Sequence, residues 1–205
     1  MYESIKNFNK QFEYEPKIEN RGELKQLDKF VVVGMGGSAL SAELFRYYNP
    51  HTNLIIHKDY GLPNIPDSSL EKRLIILSSY SGNTEETISA FELAQKRGLQ
   101  VAVISVGGKL LELAKKYSVP YIQIPDTDIQ PRLALGFSFR ALLKITNNEI
   151  ALKESNQLVD LLKPSDYENN GRGLAKKLEG RVPIIYSSTH NSIIAYNWKI
   201  RLNET

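Results

Sequence analysis

Apolar runs of strand length alternate with segments of helical spacing through most of this chain. The runs cover residues 30–33, 53–57, 74–78, 100–105 and 121–124, and helical spacing covers residues 38–48, 83–97 and 109–117. Strands with continuous apolar sequence are buried on both faces, so this alternation predicts a parallel sheet with helices packed on each side. The connections should be right-handed, and Gly98 should end the second helix. The pattern therefore predicts a doubly wound α/β fold with a parallel five-stranded sheet.

Two of the predicted turns from strand to helix are rich in glycine and hydroxyl side chains. The first reads Val33-Gly-Met-Gly-Gly-Ser38 and the second reads Ser79-Tyr-Ser-Gly-Asn-Thr84. A helix N-terminus presents backbone N–H groups that lack partners, and its dipole favours an anion. The hydroxyls of Ser38, Ser79, Ser81 and Thr84 can add hydrogen bonds without adding charge. Two such turns in one small domain predict a site for a phosphorylated small molecule.

The first turn has two other interpretations. Gly34, Gly36 and Ala39 fit the dinucleotide-binding pattern, and Asp59 follows at the end of the second predicted strand, where that pattern places an acid. The same glycines could serve only the backbone angles of a tight turn. The dinucleotide interpretation leaves the hydroxyls of the second turn without a role.

The second turn also has a purely structural interpretation. Asn83 and Glu86 have the spacing of a helix capping box, in which each side chain bonds a backbone N–H of the first turn. Capping explains Asn83 but not the neighbouring hydroxyls. Glu85 and Glu86 would repel an anion if they faced it, and a phosphate site requires both to project sideways.

Composition argues against several classes of partner. The 205 residues include 26 basic and 23 acidic side chains, and no segment interleaves basic and aromatic residues as nucleic-acid surfaces do. No apolar run approaches the roughly 20 residues that span a bilayer, and the N-terminal residues are too polar for a signal peptide. Cysteine is absent, and His51 and His57 are not spaced as a metal-binding helix pair. We expect a cytoplasmic protein that binds no metal, nucleic acid or membrane.

The chain divides into four segments. Residues 1–28 predict a polar helical arm, 29–162 the main α/β domain, 163–180 a linker with a short helix, and 181–205 the start of a second, similar unit. Within the main domain, a helix from Pro131 to about residue 162 should bury Leu133, Leu142, Leu143 and Ile145. The last segment predicts a strand at 182–186, a polar loop and a helix. One strand and one helix cannot bury a core, so they must pack on the first domain, a partner or further sequence.

Four motifs, in order along residues 29–204, resemble a known family. Gly34-Met-Gly-Gly-Ser38 and Ser79-Tyr-Ser-Gly-Asn-Thr-Glu-Glu-Thr87 are similar to the sugar isomerase (SIS) domain. Pro131-Arg-Leu-Ala-Leu-Gly136 and Ala195-Tyr-Asn-Trp-Lys-Ile-Arg-Leu-Asn-Glu204 are similar to segments of the bifunctional phosphoglucose/phosphomannose isomerases. The resemblance implies an SIS-type doubly wound sheet followed by the start of a second similar domain. The family continues beyond this glutamate, so the chain looks truncated at its C-terminus.

The resemblance also implies roles for particular residues. Gly36, Gly37, Ser38, Ser79, Ser81 and Thr84 would bind the phosphate of a hexose 6-phosphate. Arg132 would lie near the reacting carbons, and Glu204 would match the catalytic carboxylate. The family uses no cofactor and acts as a homodimer. A histidine that the family assigns to ring opening has no match here, because His190 lies at a different place.

The implied reaction is aldose–ketose isomerisation through a cis-enediol or enediolate, between glucose or mannose 6-phosphate and fructose 6-phosphate. One carboxylate can move a proton between C1 and C2, since both carbons present the same face. Glu204 would be that base, and Arg132 would stabilise the developing negative oxygen. The turns fit equally a regulatory SIS module that binds a phosphosugar without converting it. The dinucleotide-binding interpretation remains a third possibility.

Overall fold

The computed structural model describes residues 1–203, and a parallel sheet lies at its centre. The five strands are β1 (Lys29–Val33), β2 (Asn53–His57), β3 (Leu74–Ser79), β4 (Val101–Ser105) and β5 (Tyr121–Gln123). Their order across the sheet is β2-β1-β3-β4-β5, and every neighbouring pair is parallel. Val31 pairs with Ile55 on one side and with Ile75 on the other. The prediction of a parallel five-stranded sheet is confirmed, and each predicted strand lies within one residue of the observed bounds.

Helices flank this sheet on both faces. They are α1 (Tyr2–Lys6), α2 (Gly36–Tyr48), α3 (Asp67–Leu70), α4 (Glu85–Lys96), α5 (Gly108–Lys116), α6 (Leu135–Ile145), α7 (Glu149–Ser155), α8 (Leu158–Leu161), α9 (Glu168–Leu178) and α10 (Ser192–Asn203). On one face of the sheet, Phe30, Val32 and Ile76 pack with α2 and α6. On the other face, Val31, Ile75 and Val103 pack with α4 and α5. The doubly wound arrangement is therefore confirmed.

The long helix predicted from Pro131 to about residue 162 is broken into shorter pieces. A 3-10 turn (Pro131–Leu133) precedes α6, and α7 and α8 follow. Asn147 adopts a left-handed conformation with φ of 56°, which ends α6, and the Asn148 side chain accepts the Ala151 N–H to cap α7. The predicted core positions are nevertheless correct, since Leu133, Leu142, Leu143 and Ile145 are all buried.

The N-terminal arm is anchored to the main domain through two buried residues. Phe12 joins the core, and Gln11 is only 4% exposed. The amide of Gln11 donates to the Leu133 carbonyl at 2.7 Å and accepts the Gly136 N–H at 2.9 Å. These bonds fix the arm to the start of α6, because a buried amide is costly unless its polar atoms have partners.

A second connection holds the arm through Arg140 on α6. This side chain is fully buried, and it donates to the Tyr14 carbonyl at 2.5 Å, to Ser155 at 2.7 Å and to Asn156 at 2.6 Å. Burial lowers the pKa of Arg140, whereas the negative charge of Glu15 favours its charged form. The arm, α6 and α7 are thereby held together by one guanidinium group.

The strand predicted at residues 182–186 does not form. Within the described chain, residues 181–188 contain no strand, and Val182, Ile184 and Tyr186 are 90%, 73% and 88% exposed. A strand needs a neighbour for its N–H and C=O groups, and the sequence around this segment supplies none. The helix expected after it is present as α10, which packs against α2. The assignment of 181–205 to a second domain stays a prediction.

Candidate functional site

The two glycine- and serine-rich turns lie side by side at the carboxyl ends of β1 and β3. These strands are neighbours, but the connection after β1 leads to β2 on one side, whereas the chain after β3 continues to β4 on the other. The direction of the connections therefore reverses between the two turns. Open α/β sheets bind their ligands at such a point. The fold thus brings together two motifs that are separated by some forty residues of sequence.

Close approaches of backbone explain the glycines of the first turn. A Cβ atom on Gly34 would lie 2.9 Å from the Ser78 carbonyl oxygen, and one on Gly37 would lie 2.8 Å from the backbone of Arg132. Gly36, the first residue of α2, has a φ of 46°. The turn therefore needs glycine to let β3 and the 131–133 segment approach the start of α2.

Hydroxyl groups and backbone N–H groups organise the second turn. Ser79 and Thr84 share a hydrogen bond of 2.8 Å, and the Gly82 N–H donates to the Ser79 hydroxyl at 3.1 Å. The Asn83 N–H donates to the hydroxyl of Ser81, which is exposed. Ser79, in contrast, is only 1% exposed. Ser79 therefore lies on the buried side of the turn and supports its shape, whereas Ser81 and Thr84 lie on the accessible side.

The capping interpretation of the second turn is wrong. Helix α4 begins at Glu85 after Thr84, and no side chain caps its N-terminus. The side-chain amide oxygen of Asn83 (Oδ1) instead accepts the Lys109 N–H at 3.0 Å, so Asn83 links this turn to the start of α5. Glu85 is exposed and accepts a hydrogen bond from the Tyr60 hydroxyl, which holds its carboxylate to the side of the helix.

Direct hydrogen bonds join the two turns. The Ser38 hydroxyl accepts the Tyr80 N–H at 3.1 Å, and the Ser78 hydroxyl donates to the Ser38 carbonyl at 3.2 Å. We call the group formed by Gly36, Gly37, Ser38, Ser79, Ser81 and Thr84 the hydroxyl cradle. All six predicted phosphate-binding residues thus belong to two turns that are bonded to each other.

The sequence interpretation missed a third turn that supports the cradle. The turn after β4 donates two backbone hydrogen bonds to the second turn, from the Val106 N–H to the Tyr80 carbonyl at 3.0 Å and from the Leu110 N–H to the Gly82 carbonyl at 2.8 Å. The hydroxyl of Ser105 donates to the Gly107 carbonyl. Ser105-Val-Gly-Gly108 follows a buried strand just as the other turns do, and this repetition could have revealed it.

Arg132 lies next to the first turn. It is 8% exposed within the 3-10 turn Pro131–Leu133, its backbone meets Gly37, and its guanidinium contacts the Met1 sulfur at 3.5 Å. Burial lowers the pKa of Arg201 on α10, and the charge of Arg132 lowers it further. The C-terminal part of α10 therefore lies within the electrostatic reach of Arg132. Glu204, the predicted base, follows α10 and lies outside the described residues.

Other candidate positions lie away from the cradle. Asp59 follows β2, where its carboxylate accepts the N–H of Tyr60 at 2.7 Å. A cavity of about 720 Å³ surrounds His51 and Asn53 at the amino ends of the strands, on the opposite edge of the sheet. It contains none of the cradle hydroxyls. Among residues 1–203, no cluster of histidine, aspartate and glutamate is arranged to hold a metal, and no helix is long and apolar enough to cross a membrane.

Sequence comparison finds relatives that share one name. The chain is 36% identical to the bifunctional phosphoglucose/phosphomannose isomerase of Caldicellulosiruptor bescii, over 100% of this chain and 65% of that protein. It is 32% identical to the protein of the same name from Aquifex aeolicus, over 100% of this chain and 63% of that protein. The chain is similar to the bifunctional phosphoglucose/phosphomannose isomerases. It spans less than two thirds of the length of these two relatives.

Structural comparison agrees with the predicted fold. A crystal structure of a Bacillus subtilis protein, proposed to be a phosphosugar isomerase, superposes with a TM-score of 0.59 over 98% of this chain and 65% of that one. The two sequences are 23% identical, so this similarity shows a common SIS-type fold and nothing more. No family model matches the chain. The phosphoglucose/phosphomannose isomerase motifs therefore lie on the fold that the resemblance implied.

Proposed function

We propose that this protein interconverts glucose 6-phosphate, mannose 6-phosphate or both with fructose 6-phosphate through a cis-enediol or enediolate. The observation that carries the proposal is the hydroxyl cradle at the switch point of the sheet, in a chain similar to the bifunctional phosphoglucose/phosphomannose isomerases. The cradle offers neutral hydroxyls and backbone N–H groups at the start of α2 and beside the start of α4. Such an environment suits a phosphate dianion.

Arg132 and Glu204 would carry the chemistry. The backbone of Arg132 meets Gly37 of the first turn, so a phosphate held in the cradle would bring the attached sugar towards the planar guanidinium of this residue. There it would stabilise the negative oxygen of the enediolate. Glu204 would take a proton from one carbon and return it to the other. The phosphate contacts would supply binding energy that positions the reacting carbons, and no cofactor takes part in these steps.

Calorimetric titration with fructose 6-phosphate and with inorganic phosphate tests the cradle. We expect the Ser79→Ala/Ser81→Ala double variant to bind both ligands about 100-fold more weakly. Loss of the Ser81 hydroxyl removes a hydrogen bond to a charged group, and loss of the Ser79 hydroxyl removes the hydrogen bonds that hold Thr84 and the Gly82 N–H in place. The double variant Ser165→Ala/Ser187→Ala changes two exposed serines outside the cradle and should bind as the unaltered protein does. A circular dichroism melt of each sample establishes that it is folded.

The titration and a parallel assay of glucose 6-phosphate formation separate the candidate functions. A folded protein that binds neither ligand would contradict the proposal. Binding without turnover would favour the regulatory phosphosugar-binding module. Saturable binding of NAD or NADP that depends on Asp59 would favour the dinucleotide-binding function.

We further propose that the protein acts as a homodimer in the cytoplasm. Exposed apolar side chains in the C-terminal segment support association of two copies of the chain. Most of the surface of Val182, Ile184 and Tyr186 faces solvent, and nearly half of the surface of Trp198 does so too. Light scattering should give a mass at least twice that of the chain, and the Val182→Ser/Tyr186→Ser variant should shift it towards the monomer. A compact monomer across the micromolar range would contradict this prediction.

A further inference from the structure

A cavity of about 300 Å³ opens beside Arg132, next to the hydroxyl cradle. Its lining is formed by Met1, Ser4, Asp128, Gln130 and Arg132. The Arg132 backbone packs on Gly37 of the cradle, so the cavity and the cradle share a wall. Ligand sites for small molecules begin at about this volume. A ligand that reaches beyond the cradle past Arg132 would therefore enter this cavity.

Tyr80 connects the same two regions from inside the fold. It stands between Ser79 and Ser81, and its hydroxyl is buried without a hydrogen-bond partner among the described residues. Burial raises the pKa of Tyr80, the polar groups of Thr127 and Ile129 lower it, and the negative charge of nearby Asp126 raises it. The segment that carries Asp126 and Asp128 thus packs against the residue at the centre of the second turn.

The polar groups of the cavity differ in kind from those of the cradle. Asp128 is an exposed carboxylate that pairs with no side chain in the described part of the chain, and Gln130 adds an exposed amide. Asp128 has a φ of 52°, and its N–H donates to the Asp126 carboxylate, which fixes the turn. Ser4 is the residue of α1 that is partly buried, and it lies in this lining.

We propose that Asp128, with Gln130 and Ser4, binds the hydroxyl groups of the sugar and orients it in the site. The inference rests on the proposed function, whose substrate carries a phosphate at one end and hydroxyls along its length. A carboxylate accepts hydrogen bonds from sugar hydroxyls but repels a phosphate dianion. The neutral cradle and the acidic cavity therefore give the ligand one preferred direction.

The test compares two ligands in the Asp128→Asn variant by calorimetry. Asparagine keeps the size of the side chain and tolerates the left-handed conformation, so the turn should be retained. We expect affinity for fructose 6-phosphate to fall about tenfold, because a charge-assisted hydrogen bond becomes a neutral one. Affinity for inorganic phosphate should stay the same, since phosphate occupies only the cradle. Ser4→Ala should show the same pattern with a smaller loss.

The Asp166→Asn variant, which changes an exposed acid outside the cavity, serves as the matched control and should leave both affinities unchanged. Equal losses for the two ligands in Asp128→Asn would mean that Asp128 only supports the turn, and this would overturn the inference. Unchanged affinity for fructose 6-phosphate would overturn it as well while leaving the proposed function intact. Failure of the unaltered protein to bind fructose 6-phosphate would overturn both.

Discussion

Replacing Arg132 by glutamine should weaken binding of arabinonate 5-phosphate, whose planar carboxylate resembles an enediolate, by about 10²- to 10³-fold. Arg132 is 8% exposed and its backbone lies against the first turn, so the charge of this side chain acts in a site with little water. Glutamine keeps hydrogen-bonding groups but loses the charge and the planar fork. The measurement is calorimetric affinity for this ligand and for inorganic phosphate, which should lose far less. In the isomerase assay, kcat should fall by a similar factor.

The Arg181→Gln variant removes an exposed arginine outside the site and should bind both ligands normally. A urea titration of each variant shows whether the fold is retained. If Arg132→Gln binds both ligands equally weakly, Arg132 belongs to the phosphate site and does not stabilise the enediolate. Normal affinity for arabinonate 5-phosphate would remove Arg132 from the site.

Replacing Gly82 by alanine should destabilise the protein by about 2–4 kcal/mol and abolish measurable binding of phosphate. Gly82 has a φ of 75°, and a Cβ atom there would overlap the Gly107 carbonyl oxygen. The second turn must then separate from the turn after β4, which would break the hydrogen bond between Leu110 and Gly82. The free energy of unfolding in urea and calorimetric affinity for phosphate measure the two effects.

Two other glycines separate the causes. Gly98 has a φ of 63° but open space around its Cα, so Gly98→Ala should show conformational strain alone, about 1 kcal/mol. Gly107 has open space and no positive φ, so Gly107→Ala should change stability little. Both variants should keep their affinity for phosphate. A Gly82→Ala variant as stable as Gly98→Ala would show that the turns separate without cost.

Local pattern predicted the sheet and the cradle because both depend on short stretches of chain. Each strand is a continuous apolar run, and its burial on two faces follows from that run alone. Parallel strands end at the same edge of the sheet, and the two hydroxyl-rich turns are close because the structure places β1 and β3 side by side. Gly98 likewise ends α4 where its position after Lys96 and Arg97 predicted, with a φ of 63°.

The sequence was less informative where distant residues decide the structure. Polar Gln11 gave no sign of burial, because its partners lie more than 120 residues away near the start of α6. Asn83 fitted a capping box at the start of α4, but its side-chain amide oxygen accepts the backbone N–H of Lys109 instead. The break at Asn147 and Asn148 was local and could have been recognised from these two residues, which favour left-handed turns and helix caps.

The sequence by itself therefore determined the doubly wound sheet, the hydroxyl-rich turns and the resemblance to a family, because periodicity and short motifs are properties of contiguous residues. Only the tertiary structure decided that Gln11 and Phe12 of the arm are buried, that residues 182–186 remain unpaired, and that Asp128 and Arg132 line one cavity. Each of these depends on whether a distant group is available to accept a hydrogen bond, pair with a strand or share a cavity. The packing of the whole chain decides whether such a group is near, and local sequence patterns do not show this.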